Sequence, residues 1–83
     1  MGNSNYVYTL DHTLSGYVIA DKDDDASPNY YGYVRADGSW YILKETVSAG
    51  ADTYQYAKGN PGTYETNWTN RASLSFDYYH KVF

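Results

Sequence analysis

An Asp37-Gly38 pair stands between two aromatic and β-branched runs, Tyr30-Tyr-Gly-Tyr-Val34 and Trp40-Tyr-Ile-Leu43, and it constrains this chain more than any other feature. Asp-Gly supplies the left-handed backbone that closes a hairpin, and the flanking residue types favour a pleated, half-buried surface. The turn chemistry allows two registers. A two-residue turn sets Arg35 opposite Trp40 and Tyr33 opposite Ile42, with Arg35 free to lie on the indole as a cation–π pair. A type I turn with Gly38 as a bulge sets Val34 opposite Trp40 and Tyr33 opposite Tyr41, which aligns Tyr31, Tyr33 and Tyr41 on one face. Either way the hairpin carries more aromatic area than it can bury against itself.

Other strands follow from the same residue preferences. Asn5–Leu10 and Gly16–Ala20 read as short strands joined by the polar Asp11–Ser15, and Thr53–Lys58 reads as a strand with Tyr54 and Tyr56 on one face. Ser48–Asp52 turns the chain into that strand, and Gly59-Asn-Pro-Gly62 ends it. Residues 21–29 hold four Asp and a Pro, a self-repelling run that reads as an exposed loop. Two periods compete at the C-terminal end. Leu74, Phe76, Tyr78 and Val82 alternate as in a strand, whereas Trp68, Ala72, Phe76, Tyr79 and Phe83 recur at helical spacing. The aromatic content favours a strand over 73–82, with a turn of helix around 66–72. Gly16-Tyr-Val-Ile-Ala-Asp21 echoes Gly32-Tyr-Val-Arg-Ala-Asp37, which reads as two strands with similar ends rather than a true repeat. The expectation is one domain over 1–83, all-β and mainly antiparallel: a small sandwich or partly open barrel of five to six strands, with a short helix near the C-terminal end.

A chain of 83 residues buries only about 60–65% of the surface its unfolded form exposes. With no Cys, disulfides and thiolate zinc sites are closed to it, so oligomerisation is the expected support. Twelve Tyr against two Phe and two Trp favour half-wet surfaces over a dry core. The net charge of −4, with six Lys and Arg, argues against nucleic-acid binding, which needs a basic stripe. No apolar stretch approaches the roughly 20 residues of a membrane span, and Met1–Tyr6 is too polar for a signal peptide.

Residues able to do chemistry form no constellation. Asp21, Asp23 and Asp25 alternate like the start of a calcium loop, but Ala26 stands where Gly is required and Gly32 where a bidentate Glu is required, so the reading is a solvated acidic loop and no metal site. His12 and His80 lie in no metal or nucleophile motif, and Glu45 and Glu65 read as strand-face charges. Asn67-Trp68-Thr69 matches the glycosylation acceptor pattern, with Trp68 as a packing residue, and Arg71 reads as stacked on a ring or bonded to a loop carboxylate. The expectation is no enzyme, no catalytic residue and no cofactor.

From Asn29 onward the order Tyr30-Tyr-Gly-Tyr-Val, Asp37-Gly-Ser-Trp-Tyr-Ile, Glu45, Tyr54-Gln-Tyr-Ala-Lys-Gly59, Asn67-Trp-Thr-Asn-Arg71 and a Tyr-rich ending at Phe83 resembles small proteins encoded among the virion genes of tailed bacteriophages. The likeness covers about the last two-thirds of the chain. It implies a small non-enzymatic β protein of the virus particle, partnered by itself or by a larger virion protein. The contact residues expected from the hairpin are Tyr31, Tyr33, Arg35, Trp40 and Tyr41, with Trp68 and Phe83 in the core. The competing expectation is a carbohydrate-binding module, with the same rings as a platform for a glycan.

Overall fold

The hairpin closes on the bulged register. Gly38 takes a left-handed φ of 91° and its N–H donates to the Arg35 carbonyl at 2.9 Å, while Asp37 Oδ1 accepts from the Ser39 N–H at 2.9 Å. Val34 therefore pairs with Trp40, and Tyr33 with Tyr41. The computed structural model describes residues 12–83, and four strands run through them: β1 (Val18–Asp23), β2 (Asn29–Val34), β3 (Trp40–Ser48) and β4 (Ala51–Lys58). They form one antiparallel sheet in sequence order, with β1 and β4 at its edges. Ala20 bulges out of β1 between the Ile19–Tyr33 and Asp21–Gly32 pairs.

Among the described residues the sheet is open, and helical segments rather than a second sheet cover it. The expected mainly antiparallel β fold stands, with four strands described where a sandwich or partly open barrel of five to six was expected. The expected Asn5–Leu10 strand lies outside the described residues. The expected strand over 73–82 is replaced by a 3-10 turn at Arg71–Ser73, an extended stretch and a short helix. The helices are α1 (Tyr64–Thr69), which overlaps the turn of helix expected around 66–72, and α2 (Tyr79–Val82).

Strand alternation sorts the side chains. One face presents Tyr30, Gly32, Val34, Trp40, Ile42 and Ala57, and α1 packs on it, placing Tyr64 and Trp68 with Leu74 and Phe76 over the Ile42 and Trp40 core. Two glycines admit this layer. A Cβ on Gly32 would overlap the Tyr64 hydroxyl, and one on Gly59 would lie 2.6 Å from the Trp40 ring. The loop before α1 is held at the hairpin by the Gly62 N–H donating to the Gly38 carbonyl at 2.9 Å. Trp40 Nε1 donates to the Asn60 carbonyl and to Thr63 Oγ1, both at 3.0 Å, so the buried indole leaves no donor unpaired.

After Phe76 the chain crosses the outer edge of β4. Asp77 and Tyr56 exchange both backbone hydrogen bonds there, at 2.6 and 3.0 Å. The crossing delivers α2 to the opposite face, where Tyr79 and Phe83 meet Tyr56 and Tyr41. The Gly-Tyr-Val-x-Ala-Asp echo has no common structure, because Gly16 sits in a turn with φ 81° whereas Gly32 lies inside β2.

Candidate interaction surface

The face away from α1 is built from odd-numbered residues of β2 and β3 and even-numbered residues of β4. Their side chains form a connected aromatic sheet. Tyr33 stacks on Tyr41 at 4.7 Å and 15°, Tyr17 meets Tyr41 edge-on at 4.9 Å, and Tyr56 lies 5.8 Å from Tyr41 on the next strand. From above, Phe83 stands edge-on to both Tyr41 and Tyr56 at 5.7 and 5.8 Å, while Tyr79 meets Tyr56 at 5.6 Å. Offset and edge-on rings at these separations are mutually attractive, each pair contributing about 0.5–1.5 kcal/mol beyond the area it buries. Burial pushes the Tyr41 hydroxyl up to a pKa of about 12, with Tyr33 and Tyr56 adding to the effect.

Toward the other end of this face, Glu45 gathers three donors from both neighbouring strands. Asn29 Nδ2 donates to it at 3.0 Å, the Tyr54 hydroxyl at 3.1 Å and the Tyr31 hydroxyl at 3.4 Å. The bonds from Asn29 and Tyr54 hold its carboxyl below the ordinary range. The Tyr54 hydroxyl is raised by the same bond, and that of Tyr31 chiefly by desolvation. Glu45 is thus the acceptor centre of a cross-strand network, consistent with a strand-face charge.

A cavity of about 240 Å³ opens at the hairpin end of the sheet, between Tyr17, Arg35, Trp40, Lys58, Gly59 and Phe83. The Arg35 guanidinium lies 4.5 Å from the Tyr17 ring centre and donates through Nη1 to the Ser15 carbonyl at 3.1 Å. Its Nε has no hydrogen-bond acceptor and is 3.6 Å from Asp37 Oδ1. Lys58 Nζ hangs over the Phe83 ring at 5.1 Å and has no carboxylate partner among the described residues.

No protein-family model, no curated protein and no solved structure matches this chain.

Of the five contact residues expected from the hairpin, Tyr31, Tyr33 and Tyr41 share the tyrosine face and Arg35 closes its end. Trp40 does not join them. It points to the other face and is only 2% exposed, so its ring is enclosed by its own chain. Tyr41, at 7%, is covered by Phe83, Tyr17 and Tyr33, which leaves Tyr31, Tyr33 and Arg35 half-buried and presentable. The Arg35–Trp40 stack of the alternative register does not form, and Tyr17 takes that place. Trp68 packs against the core as expected, whereas Phe83 packs on the tyrosine face instead.

Arg71 does both things expected of it. Nη2 and Nε donate to Asp23 Oδ2 at 2.8 and 3.1 Å, and the guanidinium lies 4.4 Å from the Trp68 ring centre. Asp21 meanwhile accepts from the Tyr64 hydroxyl at 2.8 Å. Two of the three alternating aspartates are thereby committed to packing the helix layer, and Asp25 stays exposed in the loop. Among the described residues no cluster of His, Asp and Glu is placed to hold a metal ion, and no helix is long and apolar enough to cross a membrane.

Proposed function

We propose that this chain is a non-enzymatic structural component of a virus particle, a tailed-phage virion protein that assembles with copies of itself or with a larger virion protein. The observation that supports this reading most is the margin of the sheet along β1. No strand pairs with its outer side among the described residues, and Val18 and Ile19 are 63% and 54% exposed there. Ile19 pairs with Tyr33, so the apolar margin runs on into the half-buried rings of Tyr33 and Tyr31. An edge strand with unpaired backbone groups and exposed branched side chains is a template for a further strand. The resemblance of residues 29–83 to small phage virion proteins supplies the setting.

The glycan-platform reading draws less support, because a sugar stacks on an open ring face and the central ring, Tyr41, is covered by its neighbours. Light scattering over about a hundredfold range of protein concentration tests the assembly reading. A mass that rises to a defined oligomer or a filament supports it. A constant monomer mass, with no larger virion protein captured, removes it.

A further inference from the structure

The two ends of the sheet carry opposite charge in different forms, one as a pocket and one as a protruding loop. Because the strands are antiparallel, the turn after β2, the start of β1 and the end of β4 all lie at one end, as the Val18–Val34, Val34–Trp40 and Tyr41–Lys58 pairs show. That end holds the cavity with Arg35 and Lys58. The Asp23–Tyr30, Asn29–Glu45 and Ser48–Ala51 pairs place the β1–β2 loop and the β3–β4 turn at the other end, about 25–30 Å away along β3. There Asp24, Asp25 and Asp52 are exposed, with Lys22, 3.6 Å from Asp24, as the adjacent cation.

We propose that the pocket at the hairpin end receives the Asp24-Asp25 loop of a second copy of this chain, so that copies join head to tail. This rests on the self-assembly reading above and names its contact. Three features of the pocket fit a carboxylate-bearing loop. Lys58 has no ion-pair partner among the described residues, Arg35 Nη2 makes no hydrogen bond among them, and the rings of Phe83 and Tyr17 lie against the two cations, Lys58 open to solvent and Arg35 half-buried. Asp37 also borders the pocket, but its carboxylate accepts from the Ser39 N–H and faces Arg35. A volume of about 240 Å³ suits one or two short acidic side chains and lies below the roughly 300–1,000 Å³ of sites for drug-sized molecules. Such a contact uses a different patch on each partner, and so repeats into a ring or a filament instead of stopping at two.

Charge reversal tests it. Lys58→Glu spoils the pocket and leaves the loop intact; Asp24→Lys with Asp25→Lys spoils the loop and leaves the pocket intact. All three positions are exposed, and circular dichroism checks that each variant folds. By light scattering, each variant alone should lose the ring or filament and keep no species larger than the pair joined along the β1 margin, and an equimolar mixture should regain mass above that pair, since each supplies what the other lacks. Raising NaCl from about 0.02 to 0.5 M should reduce the unaltered protein to the same small species, a reading that needs no variant. Assembly beyond that pair that survives both reversals and high salt overturns the head-to-tail contact while leaving self-assembly standing. A monomer under every condition overturns both. Quenching of tryptophan fluorescence by glucuronate in a monomeric protein, abolished by Lys58→Glu, assigns the pocket to an acidic sugar and likewise overturns the proposal.

Discussion

Tyr64 lies directly over Gly32, and its hydroxyl passes the space a Cβ would fill to donate to Asp21 Oδ2 at 2.8 Å on the next strand. One absent side chain thus lets α1 sit on the sheet and ties it to β1. Gly32→Ala should cost about 2–3 kcal/mol, the range for forcing a methyl into a filled site. In a Tyr64→Phe background the same change should cost less, because the nearest atom is gone. Urea unfolding of the four proteins in the cycle measures the difference; equal costs in both backgrounds would falsify the contact.

Arg71 fastens the chain after α1 to the end of β1. Its side chain is 26% exposed and that of Asp23 35%, so solvent screens the pair in part. Arg71→Ala should therefore lower stability by about 1–2 kcal/mol, combining the partly screened pair with the lost stacking on Trp68. Arg71→Lys should recover only a minority of that, since an ammonium cannot stack flat on the indole or present two donors to Asp23. Chemical denaturation of both variants gives the comparison.

Tyr41 makes the fold sensitive to alkali. Its ordinary pKa is 10.0, and in the folded chain burial raises it to about 12; the Tyr64 hydroxyl is raised as well, first by burial and then by its bond to Asp21. A raised value means that the fold favours the protonated ring. The stability this confers is complete below pH about 10 and is lost as pH climbs through the folded value, by an amount on the order of 2 kcal/mol for Tyr41. Ultraviolet titration of tyrosinate should show a late-ionising fraction that coincides with loss of near-ultraviolet dichroism. Phe83→Ala, which uncovers Tyr41, should bring that fraction earlier.

Trp40 and Ile19 should separate stability from assembly. Trp40 is buried and Ile19 is exposed on the β1 margin. Trp40→Ala should cost about 3–5 kcal/mol of folding stability. Ile19→Lys should leave the thermal midpoint nearly unchanged while weakening self-association, because a charge on an edge strand opposes further pairing. A comparison of melting curves with scattering mass reads both effects. Loss of folding stability by Ile19→Lys equal to that of Trp40→Ala would remove the assignment of this margin to assembly.

Much of the sheet was legible because turn chemistry is local. Asp37-Gly38 announced its hairpin, and the alternation at Tyr54 and Tyr56 announced β4. Which register the hairpin took was not local, since it rests on Trp40 fitting under the loop that carries Asn60 and Thr63, and on Tyr33 stacking on Tyr41. The C-terminal stretch gave two periods because it has two structures. Leu74 and Phe76 alternate into the helix-covered face until the crossing at Asp77, and beyond it Tyr79 and Phe83 share one side of α2 over the tyrosine face. The helical spacing of Tyr79 and Phe83 belongs to α2 alone, which supplies the cover on Tyr41. Lys58 and Tyr17 escaped notice as site residues because their roles come from strand ends that meet only in three dimensions.

The crossing at Asp77 also sets the valence of the sheet as a building unit. By engaging both backbone groups of Tyr56, it interrupts the β4 border before a full-length strand can be laid there. Among the described residues the β1 border alone is uninterrupted, so strand addition of the kind proposed above would favour that side and join two units edge to edge. A border cut short in this way works against open-ended lateral stacking of strands, the hazard of any exposed sheet edge.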